Sequence, residues 1–249
     1  MTIVLERAPS ALQSARPANW VLAALSEREA PALAPHLEAV ELPARRTLER
    51  CGKFIEHVYF LDRGVAALSV DMKNLRPVSV GLIGREGLVG VARASGLRCS
   101  QWDTQMHVAG AGVRMCADAF EKLLIDNPNL RARVLRFAHE LTLQAMSTAR
   151  ANARATLEER LVRWMLMVHD RSDGDEIQLT HEALSAMLGA RRAGVSVAAK
   201  HLERQGMIAL HRGSATVLDR SALESYCGGV YGAPERQSLD AANLEAARE

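Results

Sequence analysis

"LTHEALSAMLGARRAGVSVAAKHLERQGMI", residues 179–208, places a glycine between two apolar-periodic segments and follows it with two arginines. Thr180 can cap a short helix over 181–188. Gly189 then falls where a helix ends in a left-handed turn, a backbone state that glycine adopts without strain. A second helix is predicted from Arg191–Arg192 to Gln205, closed by Gly206. Leu184, Leu188, Val195 and Ala198 stand where two helices joined by a tight turn pack on each other, with Ser185 small at their approach. This is the pattern of a helix-turn-helix, whose second helix enters the DNA major groove with its first turn toward the base edges.

The arginine pair supports that reading because it breaks a local rule. A helix N-terminus carries partial positive charge, so a cation there costs about 0.3–1 kcal/mol. A bidentate Arg contact to guanine, about 1–3 kcal/mol of discrimination, outweighs it. From 191 to 212 the sequence holds Arg191, Arg192, Lys200, Arg204 and Arg212 against Glu203 alone, whereas 173–182 holds only acidic charges. A net charge of +2 thus conceals a basic edge. The candidate DNA-binding residues are Thr180, Arg191, Arg192, Ser196, Lys200 and Arg212. The last lies at the tip of "IALHRGSATVLD", which reads as a β-hairpin wing.

Working outward, Thr156 with Glu158 and Glu159 reads as a capped helix start for "LEERLVRWMLMVHD". Upstream, Leu130, Val134, Phe137, Leu141, Ala145 and Thr148 are spaced 4-3-4-4-3 in a long helix after Asn127-Pro128. That stripe needs a cover, either the chain's own β-domain or the same helix of a second subunit. The symmetric dimer is favoured, with Val134, Phe137, Leu141, Ala145 and Thr148 as its seam. Asp118 reads as the N-cap of "AFEKLLI".

Between about 40 and 116 the texture is β. "HVYFLDRGVAALSV" reads as strand, Asp62-Arg63-Gly64 turn, strand; "PVSVGLIG" reads as a strand; "MHVAGAGVRMCA" reads as a hairpin about Gly110–Gly112. Short helical pieces broken by Pro31 and Pro35 precede them, and a Gly/Pro-punctuated polar tail follows Cys227. The fold class is therefore α+β. It comprises an N-terminal antiparallel β-barrel of cupin-like jelly-roll type (20–127), a long dimerisation helix (128–155), a C-terminal winged helix-turn-helix (156–226) and a flexible tail (227–249).

Other chemistries find little support. Cys51, Cys99, Cys116 and Cys227 are scattered without zinc spacing or a disulfide framework. No apolar run approaches the roughly 20 residues that cross a bilayer, and the short apolar start is no signal peptide, so a cytoplasmic protein with no membrane partner is expected. "HEALS" lacks the second histidine of a zinc protease, and Gly84-x-x-Gly87-x-x-Gly90 is neither a dinucleotide fingerprint nor a P-loop. The competing class is a cupin-like small-molecule-binding protein or enzyme that uses its C-terminal domain for protein interaction. It needs convergent His and carboxylate ligands, and 40–116 offers only His57 and His107 as histidines.

The order of barrel, long helix and winged domain over residues 20–226 resembles the cyclic-AMP receptor/fumarate-nitrate regulator (Crp/Fnr) family of bacterial transcription factors. The match is carried by "LT.E.L..MLG.RR..VS", "K.LERQG.I" and "EERLVRWMLMVHDR". The resemblance implies a cyclic-nucleotide-binding-like sensor barrel, a homodimer on double-stranded DNA and contact with RNA polymerase. Two departures stand out. Cyclic-AMP-responsive members read bases with Arg, Glu and a later Arg; here Arg192 keeps the first, but Ala193 and Val197 take the others. Members that bind a cyclic nucleotide carry a Gly-Glu and Arg-Ser/Thr cassette; here the register puts Val91 and Gln101 at the Glu and Arg slots. A shifted register offers an effector pocket of Gly84, Glu86, Gly87, Gly90 and Arg98. Burying a phosphate without a paired cation is costly, which argues against a cyclic nucleotide. The cysteine cluster for iron–sulfur ligation is absent, and no cofactor or metal is assigned.

Overall fold

The computed structural model describes residues 18–26, 28–70, 77–179 and 181–232. Two short helices, α1 (Trp20–Ala23) and α2 (Ala30–Leu33), and a 3-10 turn, Ala34–His36, lead in. Pro31 and Pro35 stand in the first turns of these pieces, where a missing N–H costs nothing. The β-domain follows: β1 (Glu38–Leu42), β2 (Thr47–Glu49), β3 (His57–Val70), β4 (Val78–Ile83), β5 (Leu88–Val89) and β6 (Asp103–Cys116). The sheet is antiparallel in the order β1-β6-β3-β4, with β2 on β6 and β5 on β3. Among the described residues no ladder joins β1 to β4, so closure of the barrel is not part of this sheet.

Two expected hairpins are long single strands instead. β3 runs unbroken through Asp62-Arg63-Gly64, and β6 through Gly110–Gly112. The glycines serve bulges and close approach between these two strands. The β3–β6 register shifts at Leu61/Arg63 and Arg63/Val65, and Gly64 has φ +88°. A Cβ on Gly110 would lie 1.9 Å from the Arg63 carbonyl oxygen, and one on Gly112 would lie 2.1 Å from that of Phe60. His57 and His107 fall toward opposite ends of this ladder, so they converge on no common ligand.

The helical half begins with α3 (Ala117–Asp126). Its N-cap is Cys116 with no side-chain bond, not Asp118; Asp118 lies in the first turn and pairs with the buried Arg93. Asn127 caps the next helix through Leu130 N, with Pro128 at its start, so the expected stop is also a start.

That helix, α4 (Pro128–Arg154), corrects the dimer seam. Val134, Phe137 and Leu141 are buried within the single chain. Phe137 packs on Gly87, where an added Cβ would come within 2.0 Å of the ring, and Leu141 faces Gly81. Gln144, also buried, grips the Leu82 backbone at both its N–H and its carbonyl. Ala145 and Thr148 are half-buried. The stripe is covered by the chain's own β-domain.

The expected effector pocket is corrected as well. Glu86 is a buried partner of Arg171 (Oε1 to Nε, 2.7 Å) and accepts from Gly84 N. Gly84 is held against Arg171, and Gly87 is filled by Phe137. Gly90 turns the chain at φ +95° into a 3-10 helix, Val91–Ser95. Arg98 is exposed beyond that helix, and nothing brings it to Glu86. Inside the domain the buried Glu49 accepts from Thr104 Oγ1 (2.6 Å) and Trp102 Nε1 (3.2 Å), and burial raises its pKa.

Candidate nucleic-acid interface

The C-terminal domain is built on α5 (Leu157–His169), started by a reciprocal cap. Thr156 N donates to Glu159 Oε2 (2.7 Å), and Glu159 N donates to Thr156 Oγ1 (3.2 Å). Its Leu161, Trp164, Met165 and Val168 are buried and form a floor for α6 (His181–Met187) and α7 (Arg192–Arg204). Leu184, Leu188, Val195 and Ala198 are all buried between the two helices. Gly189, at φ +58°, makes the turn. Ser185 Oγ donates to the Ala190 carbonyl at 2.6 Å, closing the turn from inside. Gly194 lets α7 approach α5, since a Cβ there would meet Leu157 at 3.1 Å.

With Val195, Ala198, Ala199 and Leu202 buried, the opposite face of α7 is fixed outward. Arg191, Arg192, Ala193, Val197 and Lys200 are exposed. Arg191 is the N-cap, with φ −74° and ψ 139°, and supplies no side-chain acceptor to the first-turn N–H groups. That end of the helix therefore presents uncapped donors and a positive dipole end beside two guanidinium groups, the arrangement that receives a phosphate. Ser196 is half-buried and its Oγ donates to the Arg192 carbonyl at 3.0 Å. Glu203, the acidic residue of this stretch, accepts from Leu210 N in the wing (3.0 Å), which turns it from the outer face.

The wing is a three-stranded sheet in the order β7-β9-β8, from β7 (Glu176–Gln178), β8 (Ile208–Leu210) and β9 (Ser214–Val217). The hairpin was legible in the sequence; β7 was not, because three residues carry too little periodicity. Leu179 N donates to the Gly213 carbonyl (2.8 Å), which ties the tip to the segment before α6. Arg212 stands exposed at that tip, and Gly213 turns at φ +87°. His211, exposed beside it with its ring 3.0 Å from Thr216 Oγ1, was missed. Among the described residues, Arg191, Arg192, Lys200 and Arg212 form no ion pair. Thr180 lies outside those residues.

Residues 159–226 match the model of the Crp-like helix-turn-helix domain. This stretch therefore belongs to the Crp-like helix-turn-helix domain family. The chain is a DNA-binding transcription regulator of the Crp/Fnr type. The global nitrogen regulator of a Nostoc species is 27% identical over 197 residues, which cover 75% of this chain and 86% of the relative. Among solved structures, a CRP-family transcriptional regulator from Thermus thermophilus superposes with a TM-score of 0.64 at 19% identity, covering 76% of this chain and 97% of the other. FixK2 from Bradyrhizobium japonicum gives 0.66 at 13%, covering 79% and 98%. These likenesses carry the fold.

The folded packing continues past 226, where the matched domain ends. After α8 (Arg220–Tyr226), Cys227 and Tyr231 are buried. Tyr231 Oη donates to Asp170 Oδ2 (2.6 Å) and accepts from Arg220 (3.0 Å). Burial against the Asp170 carboxylate pushes the Tyr231 phenol well above its usual range. The first six residues of the expected tail therefore belong to the folded domain; the rest of it, 233–249, lies outside the described residues.

Proposed function

We propose that the chain works as a cytoplasmic homodimer that reads an inverted-repeat operator in the major groove through α7 of each protomer. The wing then touches flanking phosphates. The observation that carries this reading is the outer face of α7 with its wing, where Arg191, Arg192, Lys200 and Arg212 are exposed without counter-charge among the described residues. DNA phosphates and guanine edges supply the missing partners. Arg192, inside the first turn, is the base reader. Arg191, Lys200 and Arg212 serve phosphates.

The dimer seam in this reading is the other face of α4. Leu135, His139, Thr142, Met146, Ala149 and Ala153 are exposed and spaced 4-3-4-3-4, a heptad pattern. Leu135 is 45% and Met146 64% exposed, unusual for large apolar side chains on an amphipathic helix. Pairing two such faces sets two recognition helices side by side.

The β-domain is the sensor, with α4 and the Glu86–Arg171 pair as its links to the DNA-binding domain. Val91 is buried and the Gln101 amide donates to the Cys99 carbonyl (3.1 Å). A cyclic nucleotide would find neither a ribose acceptor nor a phosphate cation at these two positions, which argues against it as the effector. Contact with RNA polymerase belongs to the same reading, and no catalytic step does. Among the described residues no helix is long and apolar enough to cross a membrane.

Selection of binding duplexes from a random pool, followed by sedimentation of the complex, tests this reading. Two chains on an inverted repeat are expected. One chain on a single half-site would overturn the dimer, and recovery of no preferred sequence would overturn operator reading.

A further inference from the structure

Val197 is out of place on its face of α7. It is 63% exposed, on a helix whose buried side already holds Val195, Ala198, Ala199 and Leu202. A β-branched residue is a poor helix former, and an exposed one gains nothing from the core. One turn earlier, at i−4, stands Ala193, also exposed. Residues four apart on a helix are neighbours about 5–6 Å apart, so the two make a small apolar ridge. Arg192 adjoins this ridge on one side and Lys200, three residues beyond Val197, on the other. Among the described residues no side chain covers the ridge, and the cations beside it suit a polyanionic partner.

The major groove of DNA offers one apolar group at its edge, the C5-methyl of thymine, and alanine-sized or methyl-bearing side chains are its usual partners. We propose that Val197, with Ala193 beside it, reads thymine methyl groups, so that each half-site carries a T·A pair at the base steps under the middle of α7. Arg192 then specifies the neighbouring position by hydrogen bonding, and Lys200 fixes the register on phosphate. Specificity at the middle of the helix comes from shape and dewetting in place of a hydrogen-bonded Glu or Arg. The inference rests on the operator reading above.

The test separates the two claims. The operator is selected in vitro with the full-length protein, and each thymine of a half-site is then replaced in turn by deoxyuridine, which removes the methyl and keeps the pairing. Dissociation constants are read by fluorescence anisotropy for the wild type and for Val197→Ala. One or two thymines per half-site should each lose about four-fold on replacement, the worth of one buried CH2-sized group. At one of them the thymine-to-uracil ratio should fall to about one in Val197→Ala. Equal far-UV circular dichroism and melting of the two proteins rule out misfolding as the cause. Specific binding with no uracil penalty, or with a penalty unchanged in Val197→Ala, would overturn this inference and leave the operator reading intact. Failure to select any operator would overturn both.

Discussion

Arg191 and Arg192 are neighbours in sequence with different geometry. Arg191 holds extended backbone angles just outside the helix, and Arg192 begins the helix itself. Arg191→Ala should therefore weaken binding to every duplex alike and reduce the salt slope by about 0.9 per lost phosphate contact. Arg192→Ala should cost about 1–3 kcal/mol on the operator and relax one base position, with little change on random DNA. Anisotropy titrations over a salt series distinguish these outcomes, and equal losses on both duplexes for both variants would remove the division of roles. Single residues also set the pH response. His107 is half-buried with its ring against Trp164, ring centroids 5.0 Å apart, and this desolvation lowers its pKa. The unfolded chain takes up that proton below about pH 6.5 while the folded chain resists it, so stability falls as pH drops through this range. Glu49 has the opposite sign, because burial raises its pKa; its cost appears as pH rises above the ordinary carboxylate value. Thermal melting between pH 7 and 5 should drop less in His107→Gln than in the wild type.

Helices and strands carry a different kind of information from single residues. The 4-3-4 spacing of Leu130, Val134, Phe137 and Leu141 reports that a face of α4 is covered, not what covers it, and the cover is the chain's own sheet. The free face has a weaker pattern, with His139 and Thr142 between Leu135 and Met146, and was therefore not legible. Leu135→Glu and Met146→Glu should each yield monomers at micromolar concentration without loss of melting temperature. Unchanged mass by light scattering would exclude this face as the seam. Leu141→Glu should instead unfold the packing of α4 on the sheet. Gly64, Gly110 and Gly112 were read as turns because a turn, a bulge and a close approach all demand the same missing Cβ; only the partner strand distinguishes them. The helix-turn-helix was legible almost to the residue, since a left-handed glycine, two apolar stripes and a misplaced cation pair constrain one local solution.

At the scale of the whole molecule, the β-domain and the DNA-binding domain are joined by buried polar contacts as well as apolar packing. Arg171 is 2% and Glu86 7% exposed, and Arg171 also donates to the Met167 carbonyl at 2.7 Å. Removing one member of such a pair leaves a buried charge, so Glu86→Ala should cost about 3–5 kcal/mol in chemical denaturation. Replacing both members with apolar residues of similar volume should cost far less. That a loop of the β-domain would find its partner just beyond α5 was not legible, because the two residues are 85 positions apart. Operator reading depends on two α7 helices entering one duplex. Hydroxyl-radical footprinting of the selected operator tests that directly. Two protected segments about one helical turn apart are expected, both lost in the Arg191→Ala/Arg192→Ala double variant. A single protected segment, or a footprint that survives in the double variant, would contradict it.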